Sequence, residues 1–274
     1  MPELPEVETI RRQLAADVAG ARWHHLTARP SSVFRTPSRV LAARLNGVKL
    51  DTVERRGKLL LFHFEGGWVF LTHLGMSGQI FLAPPAQPPP NHRHLTVTLE
   101  DGRQLIFRDP RRFGYLKLIR KEEVGAAKEL ANVGSDPLDP ALTWARFMSE
   151  FRGRHSKVKP LLMSQHLFAG IGNVYADEIL YQARVRPARL VGGLSPVELK
   201  NLYHAIREVL ANAIEYGGTS FDEAFVDLYG RPGLYGGCLK VYSREGEPCT
   251  RCNTPLKQLR IIGRSSVFCP HCQK

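Results

Sequence analysis

The sequence predicts an α+β protein in which strands and helices occupy different halves of the chain. Residues 22–120 contain short β-prone runs separated by Gly, Asp and Asn, whereas residues 144–217 place apolar side chains at helical spacing. A tail from residue 238 carries paired cysteines and alternates like the strands of a hairpin. At 274 residues the chain is long enough for two domains with a sizeable core.

The first half is predicted to be an antiparallel β-sandwich preceded by a helix. The helix covers residues 5–19, with Pro5 in its first turn and Gly20 at its end. The predicted strands include 59–64, 68–73, 95–99, 104–107 and 115–119. The proline-rich stretch 84–90 is predicted to be a loop.

The second half is predicted to be helical after a linker at residues 134–140. Ser195, Pro196 and Glu198 form a capping box that begins the clearest helix. A glycine-rich segment with scattered aromatic residues, 217–237, predicts a mobile loop. Further helices are predicted over 144–151, 159–168 and 174–182, the last two flanking the turn AGIGN.

The charge balance favours a polyanionic partner. Lys and Arg number 38 against 26 Asp and Glu, which gives a formal net charge of +12. Basic side chains that neutralise phosphates release the counterions of the polyanion, which favours binding. A basic excess that serves only solubility would give the same composition. The chain has no apolar run near the ~20 residues of a membrane span, and its acidic start is unlike a signal peptide. A cytoplasmic protein is expected.

Four cysteines near the end of the chain predict a zinc site. Cys249 and Cys252 form one CxxC pair, Cys269 and Cys272 form another, and sixteen residues separate the pairs. This spacing is typical of tetrahedral zinc held by four thiolates, a closed shell that indicates a structural ion. Redox activity and a fortuitous cluster are weaker alternatives, and Cys238 lies outside the pattern.

The segment around these cysteines is basic. Residues 249–274 contain five Lys or Arg and no Asp or Glu, which gives this segment a formal net charge of +5. The segment is therefore either a solvated basic face or an element that contacts phosphates, and the total charge favours phosphate contact.

The amino terminus offers a nucleophile. Initiator methionine is usually removed before a small residue such as proline, and its removal would expose the secondary amine of Pro2. An α-amino group titrates near ~7.7–8.0 against ~10.4 for lysine, so a larger fraction is neutral at pH 7. Condensation of the Pro2 amine with an aldehyde carbon gives a cationic iminium, and Glu3, next to Pro2, could be a general acid. A proline that simply opens a helix explains the same residues.

Five motifs taken together resemble one family. They are MPELPEVET at the start, HLGMSG at 73–78, DPRRFG at 109–114, GIGNVYADE at 170–178 and the CxxC…CxxC tail. In this order and at these intervals the chain resembles the bacterial formamidopyrimidine-DNA glycosylase (Fpg/MutM) family over essentially its whole length. The resemblance implies a helix-flanked β-sandwich at 2–133, a helix–two-turns–helix domain with a lesion-covering loop at 134–237, and a β-hairpin zinc finger at 238–274.

The resemblance also implies roles in catalysis. Pro2 matches the Schiff-base nucleophile, and Glu3 matches the proton donor that assists base release. Lys58 matches the lysine of β-elimination, and Arg264 matches the arginine of δ-elimination. A basic residue at either of these two places would also serve phosphate contact without proton transfer.

Further residues match the positions that contact DNA. The side chains that fill the gap left by the extruded base are matched by Met76, Arg111 and Phe113. Without this resemblance, the sequence would predict that Met76 and Phe113 are core residues. The remaining matches to DNA-contacting positions, or neighbours of them, are His73, His92, Arg154, Lys159, Asn173 and Tyr242.

The implied function is a bifunctional base-excision enzyme. It would remove 8-oxoguanine and formamidopyrimidines from double-stranded DNA and then cleave the strand by β- and δ-elimination, as a monomer with one structural zinc. A related enzyme for oxidised pyrimidines is one alternative, which the PELPE opening disfavours because that branch opens with PEGPE. The other is a non-catalytic DNA-binding zinc-finger protein, which would have no need of a free proline. Residues 217–237 match the family only at their ends, which leaves the lesion preference open.

Overall fold

The computed structural model describes residues 1–85, 90–221 and 225–274. The chain forms two compact units, Met1–Ala131 with Tyr216–Gly236 and Asn132–Glu215 with Gly237–Lys274. The predicted loop at 84–90 lies partly outside the described residues, and so do residues 222–224 of the predicted loop at 217–237.

The first unit begins with the predicted helix. Helix α1 covers Leu4–Asp17, and its side chains Val7, Ile10 and Leu14 are buried. Gly20 has a φ of +90°, and its N–H donates to the carbonyl of Leu50 at 2.7 Å. The glycine therefore allows the chain to reverse after the helix and enter the sheet.

Among the described residues, eight antiparallel strands follow in the order β5-β7-β6-β1-β2-β3-β4-β8. Their bounds are β1 Arg22–Ala28, β2 Val48–Arg56, β3 Leu59–Phe64, β4 Trp68–His73, β5 Gln79–Ala83, β6 Arg93–Leu99, β7 Gln104–Arg108 and β8 Tyr115–Arg120. Only two residue pairs connect β1 to β2, so the sheet divides there into two four-stranded halves. The halves enclose one core, which confirms the predicted β-sandwich.

The apolar runs of β3 and β4 have a physical explanation. Phe62 and Phe70 face the main core, where Trp23 packs edge-on against both rings. Leu61 and Leu71 lie in a second apolar cluster with Leu130 and other side chains. Both strands are thus covered on both faces, so their sequences read as continuous apolar runs rather than as alternation.

One helix of the first unit was not predicted. Helix α2 covers Ser38–Leu45, inside the region that the sequence indicated as strand-like, so that prediction was wrong there. Leu41 and Leu45 are buried, four residues apart on one helical face. The eight-residue helix is short and carries only this one pair, which gives the sequence a weak periodic signal.

The second unit contains four α-helices in its described residues, as the sequence predicts. They are α3 Trp144–Phe151, α4 Val158–Leu162, α5 Asn173–Gln182 and α6 Pro196–Glu215. In the capping box of α6, Glu198 N–H donates to Ser195 Oγ at 3.3 Å and Ser195 N–H donates to Glu198 Oε2 at 2.8 Å. That predicted helix start is confirmed.

The helix predicted over 159–168 ends early, at Leu162. Gln165 explains the difference, because its side-chain amide takes the place of helical hydrogen bonds. Its Nε2 donates to the carbonyls of Met163 and Ile171 at 2.9 and 2.7 Å, and its Oε1 accepts from Gly170 N–H at 2.9 Å. The segment between α4 and α5 is therefore an ordered turn held by one side chain.

The tail of the second unit forms the predicted hairpin, with β9 at Lys257–Ile261 and β10 at Arg264–Phe268. A separate apolar cluster joins Tyr181 of α5 to Val241, Leu256 and Val267 and to the cysteines of the tail. No helix in the described residues is long and apolar enough to cross a membrane.

The second part of the glycine-rich segment is fixed to the first unit. Phe225 and Leu228 are buried in the main core, and the carbonyl of Leu228 accepts from Leu82 N–H of β5 at 2.7 Å. Gln13 of α1 donates to Asp227 and accepts from Leu228 N–H, each at 2.9 Å. Residues 225–228 are therefore part of the folded unit, unlike the mobile loop that the sequence predicted.

Candidate active site

The predicted nucleophile and proton donor lie at the start of α1. Pro2 and Glu3 are buried, whereas Met1 is 50% exposed. Glu3 N–H donates to Glu6 Oε2 at 2.8 Å, which fixes the backbone beside Pro2. Loss of the half-exposed Met1 would therefore leave the nitrogen of Pro2 in a position set by the helix.

Glu6 also binds the glycine-rich segment. Its Oε1 accepts from Thr219 N–H at 2.7 Å, so one buried carboxylate holds both the amino terminus and residue 219. Gly218 has a φ of +84°, and a Cβ added there would lie 2.8 Å from Glu6 Oε1. A larger residue would need a strained backbone and a shift of the hydrogen-bonded Glu6 side chain, and glycine avoids both. Sequence reasoning missed Glu6 as a positioning residue, although its place at the third position of α1 is a capping signal.

Lys58 lies in the two-residue turn between β2 and β3, next to Gly57, whose φ is +58°. Arg55 anchors this turn to α1, because its Nε donates to Glu8 Oε2 at 2.9 Å and its Nη1 to the carbonyl of Gly57 at 3.3 Å. Burial of the Glu8 carboxyl raises its pKa, but hydrogen bonds from Arg11, Arg55 and Arg12 outweigh burial and lower the pKa to about 2. The helix that follows Pro2 and the turn that carries Lys58 are thus joined by a charged pair.

His73 is a neutral side chain at the end of β4. Burial, with the positive charges of Lys58 and Arg35, lowers its pKa to about 4. Its Nδ1 accepts from Gly75 N–H at 3.0 Å, and its ring stacks on Tyr115 at 5.3 Å. His73 therefore shapes the HLGMSG loop, and its predicted DNA contact stays a prediction.

The two glycine-containing loops of the first unit pack backbone against backbone. A Cβ on Gly75 would lie 2.4 Å from the carbonyl carbon of Phe113, and one on Gly114 would lie 2.6 Å from the carbonyl oxygen of His73. Asp109 is fully buried between the loops, where it accepts from Ser77 Oγ at 2.5 Å and from Gly114 N–H at 2.7 Å. The structure thus brings the motifs at 73–78 and 109–114 together.

The paired loops expose the predicted gap-filling side chains. Met76 is 41% exposed and Phe113 is 54% exposed, although both are large and apolar. The guanidinium of Arg111 lies 4.7 Å from the centroid of the Phe113 ring, and the backbone N–H of Arg111 donates to Ser77 Oγ at 3.2 Å. His92 is exposed, and its carbonyl accepts from Asp109 N–H at 3.1 Å. The alternative of core residues is thus wrong for Met76 and Phe113.

In the second unit, Asn173 is the first residue of α5 and follows Gly172. Its Oδ1 is buried and has no hydrogen-bond partner among the described residues. This oxygen can accept a hydrogen bond from a donor, whereas the N–H groups at the start of α5 can donate to an anion. Arg154 is exposed and lies 3.5 Å from Glu150 in a surface ion pair.

Lys159 differs from the other predicted DNA contacts because it is 1% exposed. Its Nζ lies 2.7 Å from Asp177 Oδ1 and donates to the carbonyl of Ser265 at 2.8 Å. Asp177 in turn accepts from Ser266 Oγ at 2.6 Å and from Val267 N–H at 3.1 Å. The structure therefore places Lys159 in a buried network that holds β10 and not on the surface. Its DNA contact stays a prediction, and the geometry favours a structural role.

Glu178 organises the chain next to this network. Its buried carboxylate accepts from the N–H groups of Lys240, Val241 and Tyr242 at 2.8–2.9 Å. Tyr242 is therefore placed through its backbone by α5. Sequence reasoning did not assign Asp177 or Glu178, and two acidic residues inside an apolar helix pattern are the signal that could have found them.

The four predicted zinc ligands converge. The Sγ atoms of Cys249, Cys252, Cys269 and Cys272 all lie within 4.8 Å of one another. Tetrahedral zinc with Zn–S bonds of about 2.3 Å requires S–S separations of about 3.8 Å. The Cys249–Cys272 and Cys252–Cys269 separations are 3.9 and 3.5 Å. The geometry fits one structural zinc.

Arg264 is exposed at the start of β10, on the hairpin that lies between the two CxxC pairs. Strands β9 and β10 pair up to Ile261 and Arg264, which leaves Ile262 and Gly263 as a two-residue turn. The zinc and the Asp177 network thus hold a short hairpin whose end carries the predicted δ-elimination residue.

Three family models match successive parts of the chain. The formamidopyrimidine-DNA glycosylase N-terminal domain matches residues 1–116, the formamidopyrimidine-DNA glycosylase H2TH domain matches 133–224, and a zinc finger found in FPG and IleRS matches 246–274. The chain belongs to the formamidopyrimidine-DNA glycosylase family. Family membership makes it an enzyme, a DNA glycosylase, and the zinc-finger match agrees with the cysteine geometry.

Relatives in this family match the whole chain. The formamidopyrimidine-DNA glycosylase of Desulfitobacterium hafniense is 41% identical, with full coverage of both chains. That of Symbiobacterium thermophilum is also 41% identical and covers all of this chain and 89% of its own length.

Solved structures of the family confirm the fold. The crystal structure of MutM (Fpg) from Thermus thermophilus has a TM-score of 0.88 at 39% identity, covering 99% of this chain and 98% of its own. Lactococcus lactis Fpg in complex with DNA that contains an oxidised pyrimidine has a TM-score of 0.91 at 34% identity, with full coverage of both chains. The same protein with abasic-site DNA has a TM-score of 0.90 at 33% identity and covers 99% of each chain.

Proposed function

We propose that this formamidopyrimidine-DNA glycosylase excises oxidised purines, 8-oxoguanine and formamidopyrimidines, from double-stranded DNA and then cleaves the strand. The observation that carries the proposal is the buried Pro2–Glu3 pair at the start of α1, fixed by the Glu6 carboxylate at 2.8 Å. A secondary amine with a carboxyl group beside it is the chemistry that an N-terminal glycosylase/lyase needs.

The first step forms the covalent intermediate. With Met1 removed, the nitrogen of Pro2 attacks C1′ of the damaged nucleotide. The oxidised base leaves with the electrons of the C1′–N bond and takes up the proton that the Pro2 nitrogen loses. Glu3 gives a proton to the sugar-ring oxygen, so the ring opens and C1′ becomes the carbon of a cationic iminium. No outside electron acceptor is needed, because the iminium draws electrons from the bonds that break next.

The following steps are two eliminations. Removal of a proton from C2′ expels the 3′ phosphate, and a second elimination expels the 5′ phosphate. We assign Lys58 to the first elimination and Arg264 to the second. Hydrolysis of the iminium then returns the amine of Pro2. Lys58 is joined to the Pro2 helix through the Arg55–Glu8 pair, which keeps both groups on one support.

DNA recognition follows from the exposed residues. The partly stacked Arg111 and Phe113, with Met76, form an apolar and planar set that would replace part of the stacking lost when a base is flipped. The remaining proposed contacts are His73, His92, Arg154, Asn173 and Tyr242, while buried Lys159 would act on DNA through the hairpin that it holds. We propose that the enzyme acts as a monomer in the bacterial cytoplasm, where its net charge of +12 draws it to DNA.

Borohydride trapping tests the proposal. Borohydride reduces an iminium to a stable amine, so the mature protein should form a covalent complex with an 8-oxoguanine duplex. Pro2→Gly should reduce trapping at least about tenfold, because a primary amine does not form the same permanently charged iminium. Pro5→Ala, a change at the other proline of this helix start, is the control and should trap normally. Efficient trapping by protein shown to retain Met1 would overturn the Pro2 assignment.

Oxidised pyrimidines are the second candidate substrates. The observation that favours them is the Lactococcus lactis structure, in which a 34% identical relative holds DNA with an oxidised pyrimidine. A panel of duplexes, each with one oxidised purine or pyrimidine, separates the candidates by kcat/KM. We expect the purines to be excised faster, and the opposite order would replace the main proposal.

A further inference from the structure

The tip of the finger hairpin combines two unusual properties in one residue, Ile262. Its side chain is 80% exposed, the largest value for any large apolar side chain in the described residues, ahead of Val197 and Leu234 at 68%. Ile262 is the first residue of the two-residue turn between β9 and β10. Its apolar surface is therefore presented to solvent at the end of a rigid hairpin.

The backbone of Ile262 is also unusual. Its φ is +47° and that of Gly263 is +73°, as a type I′ turn requires, and such turns favour Asn, Asp or Gly. Ile262 is the one β-branched residue with positive φ in the described part of the chain, where such a residue is an outlier. The other described non-glycine residues with positive φ are His92, Arg112, Arg184, Ser243 and Asn253. Neither solvent nor turn geometry explains isoleucine here, and such strain is found at functional sites.

The surroundings of Ile262 fit a nucleic-acid partner. Arg260 and Arg264 are exposed on either side of the turn. The base of the hairpin is fixed, because Lys159 and Asp177 hold residues 265–267 through the buried network. Proteins that bind the minor groove contact phosphates through basic side chains and frequently insert an apolar side chain between base steps. An apolar tip between two arginines offers both kinds of contact.

We propose that Ile262 is an apolar wedge that enters a groove of the DNA and packs against deoxyribose and base edges, while Arg260 and Arg264 contact the flanking phosphates. The proposal rests on the proposed function, because its ligand is duplex DNA. It adds a residue that positions Arg264 on the strand by apolar contact rather than by charge.

The test uses Ile262→Asn in the zinc-bound protein. Asparagine tolerates positive φ, so the change relieves the backbone while it removes the apolar side chain. The dissociation constant for a duplex with a tetrahydrofuran abasic-site analogue is measured at several salt concentrations. Ile262→Asn should weaken binding about tenfold and leave the slope of log K against log salt unchanged, because no phosphate contact is lost. Arg260→Ala should instead reduce the slope by about 1.

Two further variants isolate the apolar contact. Val197→Asn changes another exposed apolar residue of the same unit and should bind like the wild type. Ile262→Leu keeps the apolar surface and should bind within about twofold of the wild type. A second readout is the product ratio, in which Ile262→Asn should increase the β-elimination product at the expense of the δ-elimination product.

The outcomes separate this inference from the proposed function. Wild-type affinity in zinc-loaded Ile262→Asn overturns the wedge, and so does an altered salt slope. Binding by Ile262→Leu as weak as that of Ile262→Asn assigns the effect to the turn and also overturns it. If the wild type forms no borohydride-trapped complex, the proposed function fails, whereas normal trapping with unchanged affinity in Ile262→Asn rejects the wedge alone.

Discussion

Replacing Lys159 by methionine should destabilise the second unit strongly and in a pH-dependent way. The ammonium of Lys159 lies 2.7 Å from Asp177 Oδ1, and both side chains are 1% exposed. Methionine keeps most of the volume but leaves the Asp177 carboxylate buried without its cation. Breaking a buried pair in this way costs about 3–5 kcal/mol of unfolding free energy. At about 4 °C per kcal/mol, the unfolding temperature of this unit should fall by about 12–20 °C.

The sign of the pH dependence follows from the pKa of Asp177. Burial raises that pKa above its ordinary value, and Lys159 opposes the rise. Without Lys159 the folded pKa rises further, so the folded state binds a proton that the unfolded state has released. The unfolding free energy of Lys159→Met should therefore fall as pH increases from the unfolded pKa to the folded pKa of Asp177.

The assay is thermal unfolding followed by circular dichroism on zinc-loaded protein between pH 5.5 and 8.5. Lys200→Met changes an exposed lysine of the same unit and should stay within about 0.5 kcal/mol of the wild type. Adding Asp177→Asn to Lys159→Met removes the unpaired charge, so the double variant should recover about 1 kcal/mol or more and lose the pH dependence. A loss below about 1 kcal/mol in Lys159→Met, equal at every pH, would refute the reasoning.

Three more predictions follow from the sites described. Gly218→Ala should slow lesion excision about tenfold or more, because the added Cβ meets Glu6. Gly230→Ala is the control for backbone strain, because Gly230 also has a positive φ but an added Cβ there would have no neighbour within 4 Å. Equal single-turnover rates for the two variants would show that the close approach to Glu6 is irrelevant. Arg111→Ala should lower kcat/KM about tenfold on an 8-oxoguanine duplex but little on a pre-formed abasic site, and equal losses on both would remove its gap-filling role. Cys249→Ser should lower DNA affinity in a binding titration while it changes the unfolding temperature of the first unit little. Undiminished binding by zinc-free protein would contradict the role of the finger.

The elements that the sequence predicted well carry a strong local signal. The strands β3 and β4 are buried on both faces, so their apolar runs have clear ends at residues 59–64 and 68–73. The four zinc ligands were predicted from the spacing of the cysteines alone. Helix α2 was missed because its eight residues bury only Leu41 and Leu45, and α4 was predicted too long because the Gln165 side chain replaces helical hydrogen bonds.

The candidate site was predicted by residue type but not by its supports. Pro2, Glu3 and the exposed loop residues follow from motifs, whereas Glu6, Asp109 and Asp177 act through long-range contacts that have no sequence period. Glu6 reaches Thr219, 213 positions away, and Asp109 reaches Ser77, 32 positions away. Lys159 shows a second limit of prediction from sequence. Its residue type indicated a DNA contact, but in the folded protein it is buried against Asp177, a partner that the sequence does not reveal.

The return of residues 216–236 to the first unit has a consequence for how the protein is made. Phe225 and Leu228 complete the core around α1, and the side chain of Gln13 in that helix forms hydrogen bonds to Asp227 and Leu228 when those residues arrive. During synthesis the ribosome therefore finishes all four helices of the second unit before the first unit has its full core. A fragment that stops at residue 131 should expose apolar surface and aggregate, and addition of a peptide spanning 216–236 should restore part of its solubility.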